Sequence, residues 1–157
     1  MRPGRKDAHG TAPSTSEEPT KSAPPARKLF VNLAVRDLPR SVAFFTTLGF
    51  AFDPRFTDAQ AACMIVSEHA SVMLLTRPFF RRFTTRELCD TRSHVEGLLA
   101  LSCESRAEVD ALVARAIEAG GTTVRAPVDH GSMYASSFHD LDGHHWEVVW
   151  VDAPMLH

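Results

Sequence analysis

The chain has 157 residues, of which 44% are hydrophobic, and its formal net charge is −2 at pH 7. This length predicts one domain, or one domain built from two similar halves, and this composition is sufficient for a hydrophobic core. A net charge of this sign does not favour nucleic-acid binding, because nucleic-acid-binding proteins usually carry an excess of basic residues on one surface. No apolar run reaches the roughly 18 residues of a transmembrane helix, so we expect neither nucleic acid nor a membrane as a partner.

The cysteines and the amino terminus indicate a cytoplasmic location. Cys63, Cys89 and Cys103 form no Cys-x-x-Cys pair, and we interpret them as reduced thiols. The first six residues carry positive charge, but no apolar stretch follows them as it would in a secretory signal. Residues 1–27 contain no aromatic residue and no Val, Ile or Leu, a composition that predicts a disordered tail. The predicted domain covers residues 28–157.

The first half of the domain has the pattern β-α-β-β-β. Residues 29–35 are predicted to form a strand that is apolar on both faces. Asp37 is a helix N-cap, Pro39 suits the first turn, and Gly49 ends the predicted helix. The further strands are predicted at residues 50–56, 61–67 and 71–76.

A connector rich in arginine and phenylalanine, residues 78–95, follows this first module of about residues 28–77. We expect a short helix here, packed by Phe79, Phe80 and Phe83. Its arginines are interpreted as a solvated face, and the alternative is a site for an anion or a substrate carboxylate.

The second half, about residues 96–151, repeats the pattern of the first. A strand at residues 97–103 precedes Ser105 and Glu108, which have the spacing of a capping box, and Gly120-Gly121 ends the helix. Three strands are then predicted at residues 122–128, 134–139 and 144–151. Two units with the same element order indicate a duplicated module.

Three motifs in these modules resemble the vicinal-oxygen-chelate superfamily, which includes glyoxalase I, extradiol dioxygenases and bleomycin-resistance proteins. They are Val-x-Asp-Leu at residues 35–38, Gly-Gly at 120–121 and Asp-x-Asp-Gly-x-x-x-Glu at 140–147. The resemblance extends over about residues 28–151. It implies an α+β fold in which two tandem βαβββ modules form a cup-shaped mixed sheet with the helices outside. Because members often dimerise, the resemblance also implies a homodimer.

The resemblance places the family's four metal-binding positions on residues that mostly cannot bind a metal. They correspond to Phe30, Leu74, Leu98 and Glu147. Zinc needs three or four protein ligands, and magnesium or manganese needs several oxygens. Since only Glu147 offers a ligand atom, we expect no metal and no other cofactor, with a divalent metal as the alternative.

Without a metal, the same positions predict an apolar cup with one acid. Phe30, Leu74 and Leu98 are expected to form its floor, and Glu147 is a candidate catalytic base or hydrogen-bond partner for a ligand. The alternative is an acid that Asn32 or a backbone amide satisfies structurally. Alternation along the strand places Asn32 on the face of Phe30.

Further ligand contacts are predicted beside Glu147. His145 shares its strand face by alternation, and the polar hairpin at residues 129–134 contributes His130 and Tyr134. The alternative for these two is an ordinary turn histidine and a packed tyrosine. A second alternative is a metal site that His130, His145 and Glu147 form in place of the family's ligands.

The sequence thus leads to three hypotheses for function. The first is a glyoxalase- or bleomycin-resistance-like protein that binds a small molecule in the cup without the family's metal. The second is a lactoylglutathione-lyase-like or dioxygenase-like enzyme, with a rebuilt metal site or with Glu147 as base. The third is a regulatory or scaffolding module whose cup is filled by side chains.

Overall fold

A computed structural model describes residues 23–153 of the chain. Most of the tail predicted to be disordered, residues 1–22, lies outside the described residues, as do residues 154–157. Residues 23–28 are exposed and belong to no helix or strand. Ordered secondary structure begins at Leu29, close to the predicted start of the domain.

The first module has the predicted β-α-β-β-β order. Its elements are β1 (Leu29–Val35), α1 (Leu38–Thr47), β2 (Ala51–Asp53), β3 (Ala61–Ile65) and β4 (Ala70–Thr76). The strands form a sheet in the order β1-β4-β3-β2, in which β1 and β4 are parallel. The Asp37 side chain accepts a hydrogen bond from the backbone N–H of Arg40 at 3.1 Å, which confirms the predicted cap of α1.

The connector contains the short helix that was predicted. Helix α2 (Arg77–Phe80) continues into a 3₁₀ turn, Arg81–Phe83. The rings of Phe79 and Phe83 meet edge to face, with centroids 5.1 Å apart. Phe83 is nevertheless 69% exposed, so the phenylalanines pack the connector only in part.

The second module repeats the first, with one strand divided. Its elements are β5 (Leu98–Ser102), α3 (Arg106–Glu118), β6 (Thr122–Thr123), β7 (Val128–Asp129), β8 (Met133–His139) and β9 (His145–Val151). The sheet order is β5-β9-β8-β6, and β7 also pairs with β8. The single strand predicted at residues 122–128 is wrong, because Pro127 has no N–H to donate to a ladder and β6 and β7 flank it.

One hydrophobic core joins the two modules. Phe44 and Phe45 on α1 contact aromatic residues of the second sheet, with ring centroids 6.2 Å from Phe138 and 5.2 Å from Trp146. All four side chains are at most 3% exposed. Each sheet therefore has a helix face, which belongs to this core, and an opposite open face. This α+β arrangement of two mixed sheets confirms the predicted fold class.

Among residues 23–153, no helix has the length and apolar character that would be needed to cross a bilayer.

Candidate functional site

The strand register places Phe30 and Leu74 on opposite faces of the first sheet. Leu74 pairs with Leu33 and is fully buried in the core, on the helix face. Phe30 pairs with Ser71 on the open face, and its side chain is 52% exposed. The prediction that Leu74 forms a floor with Phe30 is therefore wrong.

Met73 occupies the open-face position next to Leu74 and pairs with Asn32. Residues 72–75 are all apolar, so neither face of this strand is distinguished by polarity. Alternation alone could not identify the register, and an error of one residue exchanges the two faces.

In the second sheet, the register brings the predicted residues to one face. Leu98 pairs with His145, and Ala100 pairs with Glu147. The next strand places Ser137 opposite Glu147 and His139 opposite His145. The open face thus carries a square of four polar side chains on β8 and β9, flanked by two apolar residues on β5. We call Ser137, His139, His145 and Glu147 the polar square.

The Glu147 carboxylate lies near the Arg125 guanidinium and the His145 imidazole rather than near Asn32. Its Oε1 lies 3.7 Å from Nη2 of Arg125 and 3.7 Å from Nε2 of His145. The carboxylate side chain is 24% exposed, which leaves it accessible from the open face. Asn32 instead donates to the carbonyl of Phe30 at 3.4 Å.

The surroundings of His145 in this square favour the neutral form of its imidazole. Burial lowers the pKa of His145, the neighbouring His139 lowers it further, and Glu147 acts in the opposite direction. The His139 and His145 rings meet edge to face, with centroids 5.3 Å apart. Within residues 23–153, two atoms of the square, Ser137 Oγ and His145 Nε2, are buried and have no hydrogen-bond partner.

His139 was not recognised as a site residue from the sequence. The signal was present, because a tight turn at residues 140–143 places the strand before it against the strand after it. Pairing residue 139 with residue 145 across that turn would have brought the two histidines together.

The hairpin residues lie elsewhere. Tyr134 is on the helix face, where its hydroxyl donates to Asp110 on α3 at 2.7 Å and its ring stacks under Arg106. Its predicted contact with a ligand in the cup is therefore wrong. His130 is on an exposed turn, and its contact with a ligand stays a prediction.

The terminal motif contributes a joint between the modules. The carboxylate of Asp142, 5% exposed, accepts from the Arg36 backbone N–H at 2.8 Å and from the Ser41 hydroxyl at 3.3 Å. Asp140 is also buried and accepts from the indole N–H of Trp146 at 2.9 Å. These two acids bind protein donors, so their place in the motif is structural.

His144 extends this joint. Its Nε2 donates to the carbonyl of Ala34 on β1 at 2.8 Å, while Nδ1 contacts the carboxylate of Glu96. The Thr91 hydroxyl donates to the Asp142 carbonyl. The terminal motif therefore attaches to the first module and to the connector.

A groove of about 590 Å³ lies between the edge strands β1 and β5. Asn32, Leu98 and Ala100 line it together with apolar residues of β1, β4 and β5. Leu98 and Ala100 are also the cross-strand neighbours of His145 and Glu147. The groove therefore reaches the strand next to the polar square, while the four residues of the square are not part of its lining.

The residues at the family's metal positions do not fit a divalent metal. The resemblance assigns these positions to Phe30, Leu74, Leu98 and Glu147, and on the open face Met73 stands in place of Leu74. Phenylalanine and leucine have no lone pair, and a thioether suits soft ions such as Cu(I). Across residues 23–153, no cluster of three or more His, Cys, Asp or Glu side chains has a geometry that could hold a metal ion, so the proposed trio of His130, His145 and Glu147 is not assembled.

The chain belongs to the glyoxalase/bleomycin resistance protein/dioxygenase superfamily, whose family model matches residues 29–148. This match confirms the resemblance inferred from the motifs. No curated protein sequence matches the chain.

Several solved structures share the fold. A hypothetical protein, SA1046 of S. aureus, is 30% identical, with a TM-score of 0.68 over 78% of this chain and 92% of that one. A glyoxalase/bleomycin resistance protein/dioxygenase family enzyme from Burkholderia phytofirmans PsJN is 20% identical, with a TM-score of 0.65 over 78% and 96% of the two chains. The fosfomycin resistance protein FosX from Mesorhizobium loti is 14% identical, with a TM-score of 0.58 over 82% and 94%. At the last two identities the likeness concerns the fold alone.

Proposed function

We propose that this protein binds a small molecule at the open face of its second sheet without the divalent metal of its family. The observation that carries the proposal is the composition of the four family positions, where Glu147 is the single group able to bind a hard cation. One carboxylate holds zinc, magnesium or manganese too weakly for a resident cofactor.

The groove beside the polar square supports a role in binding rather than a filled scaffold. Its volume of about 590 Å³ lies in the range of roughly 300–1,000 Å³ that is usual for small-molecule sites. Leu98 and Ala100 offer apolar contact, and Glu147 and His145 offer the few polar groups that orient a ligand. Phe30 and Asn32 are the proposed contacts from the first sheet.

A second copy of this chain is the proposed protein partner. In the described part of the chain, β1 and β5 each have a neighbouring strand on one side only. These two edges line the proposed ligand groove, so the contact between copies is proposed for other exposed apolar side chains, such as Phe56 and Val95, which are 60% and 65% exposed. Sedimentation of the purified protein checks the expected homodimer. The proposed location is the cytoplasm, since all three cysteines are free thiols.

The substitution Glu147→Gln tests the proposed site. Binding is measured as a thermal shift with bleomycin, the drug in the family name, as the probe. A shift that persists in EDTA and disappears in Glu147→Gln is the expected result. Glu118→Gln, an exposed acid at the end of α3, is the matched control and is expected to keep the shift. A shift that needs a divalent metal would contradict the proposal.

An enzymatic role is the second candidate, because the polar square places a carboxylate 3.7 Å from an imidazole nitrogen. Such a pair has the groups of general acid–base chemistry, with Glu147 as the proposed base. Product formation from the hemithioacetal of methylglyoxal and glutathione tests the lyase reading, and ring opening of a catechol tests the dioxygenase reading. Each assay is run with and without added metal, which separates a rebuilt metal site from a metal-free base.

A further inference from the structure

We propose that the ligand of the polar square carries a primary ammonium group, which binds Glu147, His145 and Ser137 and displaces the guanidinium of Arg125. This inference rests on the proposed function and adds the chemical class of the ligand.

Two atoms of the polar square lack the hydrogen bonds that buried polar groups normally make. Ser137 is 2% exposed, yet its Oγ has no partner among the described residues, and the same holds for Nε2 of His145. Buried polar atoms are nearly always bonded, and an exception indicates a place that another group is to occupy. Both residues are next to Glu147, Ser137 directly across the β8–β9 ladder and His145 two residues earlier on β9.

These three side chains together form a set of acceptors. The Glu147 carboxylate accepts only, and the Ser137 hydroxyl accepts with its lone pairs. Nε2 of His145, which has no partner among the described residues, accepts when Nδ1 carries the proton. A primary ammonium has three N–H donors and therefore matches three acceptors. A carboxylate or phosphonate ligand offers these acceptors no N–H donor and is repelled by the negative charge of Glu147.

Arg125 occupies the place of that cation in the free protein. Its side chain is 63% exposed, and its Nη2 is 3.7 Å from Glu147, which is too long for a hydrogen bond. An exposed ion pair of this length contributes little to stability, so a ligand displaces it easily. Arg125 lies between β6 and β7, outside any helix or strand, where its side chain can turn away to solvent. The other charged or titratable group facing His145 is His139.

The neighbouring strand defines the remainder of the ligand. Leu98 and Ala100 are the cross-strand partners of His145 and Glu147 and line the groove of about 590 Å³. Strands in a sheet are about 4.8 Å apart, so an apolar group in contact with β5 lies beside an ammonium bound at Glu147. The proposed ligand is therefore an amine with a compact apolar body.

Three probes with the same ring and different head groups test this inference: benzylamine, benzyl alcohol and benzoate. Their dissociation constants for the full chain are measured by NMR titration at neutral pH and low salt. Benzylamine is expected to bind about tenfold or more tightly than benzyl alcohol, and benzoate more weakly than both. Glu147→Gln and Ser137→Ala are expected to remove most of the preference for the amine, whereas Arg125→Gln keeps or strengthens it. Glu118→Gln is expected to change nothing, and circular dichroism verifies the fold of each variant.

Several outcomes would overturn the inference. A preference for benzoate that is lost in Arg125→Gln would identify an anion site, with Arg125 as its anchor. Equal affinities for the three probes, or no binding of benzylamine at millimolar concentration, would exclude recognition of the ammonium. Any of these results in a metal-free protein leaves the proposed function intact. Stoichiometric metal that is lost in Glu147→Gln would refute both.

Discussion

Asp142→Ala tests whether the terminal motif joins the two modules. In the native protein the Asp142 carboxylate, 5% exposed, accepts from the Arg36 backbone N–H at 2.8 Å, the Arg36 guanidinium at 3.3 Å and the Ser41 hydroxyl at 3.3 Å. Both partners belong to the first module, while Asp142 belongs to the second. Removing the carboxylate therefore leaves donors of the first module without an acceptor.

The expected loss follows from the burial of those donors. The Arg36 side chain is 40% exposed and can bind water, so it adds little. The Ser41 hydroxyl is buried and the Arg36 N–H is partly buried, and a donor of this kind costs about 1–3 kcal/mol to leave unsatisfied. We expect Asp142→Ala to lower the free energy of unfolding by roughly 3–4 kcal/mol, the sum of two mid-range values.

Urea unfolding followed by tryptophan fluorescence, to which the fully buried Trp146 and the partly buried Trp150 contribute, measures this loss. Asp37→Ala, which removes an exposed helix cap, is the matched control and is expected to cost about 1 kcal/mol. A single transition is expected for both variants because one core includes both modules. A loss for Asp142→Ala no larger than that for Asp37→Ala would refute the idea that this carboxylate joins the modules.

Three further predictions concern the motif, the square and a thiol. Gly143→Ala is expected to destabilise the fold strongly, because φ of Gly143 is +86° and the new Cβ would lie 2.5 Å from the Thr91 carbonyl oxygen. Gly131→Ala, where φ is +79° and the space around the new Cβ is open, measures the backbone strain alone. Equal losses of unfolding free energy for the two variants in urea would contradict the predicted clash. Because the pKa of His145 is lowered below its ordinary 6.5, the unfolded chain binds more protons below that pH, and stability falls on acidification. His145→Gln should lose less stability than the native protein between about pH 7.5 and pH 5.5, and identical losses would argue against this. Burial raises the pKa of the Cys103 thiol to about 11, so we expect iodoacetamide to alkylate this thiol slowly at about pH 8 in the native protein and rapidly after unfolding. Mass spectrometry of the Cys103 peptide measures both rates, and equal rates would contradict the prediction.

The helices and their caps could be predicted from residues close together in the sequence, whereas the site depends on how the strands pair. The Asp37 and Ser105 caps depend on neighbouring residues and were predicted correctly. Leu74 was misplaced because its strand is apolar on both faces, and no local pattern states which face meets a helix. Tyr134 was misplaced because its hydroxyl contacts Asp110, which is 24 residues earlier in the chain. Such a contact depends on the fold rather than on a local pattern.

The Asp-x-Asp-Gly-x-x-x-Glu motif has two roles that the sequence did not separate. Its first half is buried and bonded to protein donors, as Asp140 and Asp142 demonstrate. Its last residue, Glu147, is on the open face beside Arg125 and His145. The first half of the motif therefore contributes to the fold, and the proposed ligand chemistry depends on Glu147.

Metal content is the most direct test of the central claim that the site binds its ligand without a metal. The native protein is purified without chelator and without a metal-affinity tag, and its metals are quantified by inductively coupled plasma mass spectrometry. The account predicts far less than one equivalent of Zn, Ni, Mn or Fe per chain, both as purified and after incubation with each ion followed by gel filtration. One equivalent of any of these metals, lost on the change Glu147→Gln, would contradict it.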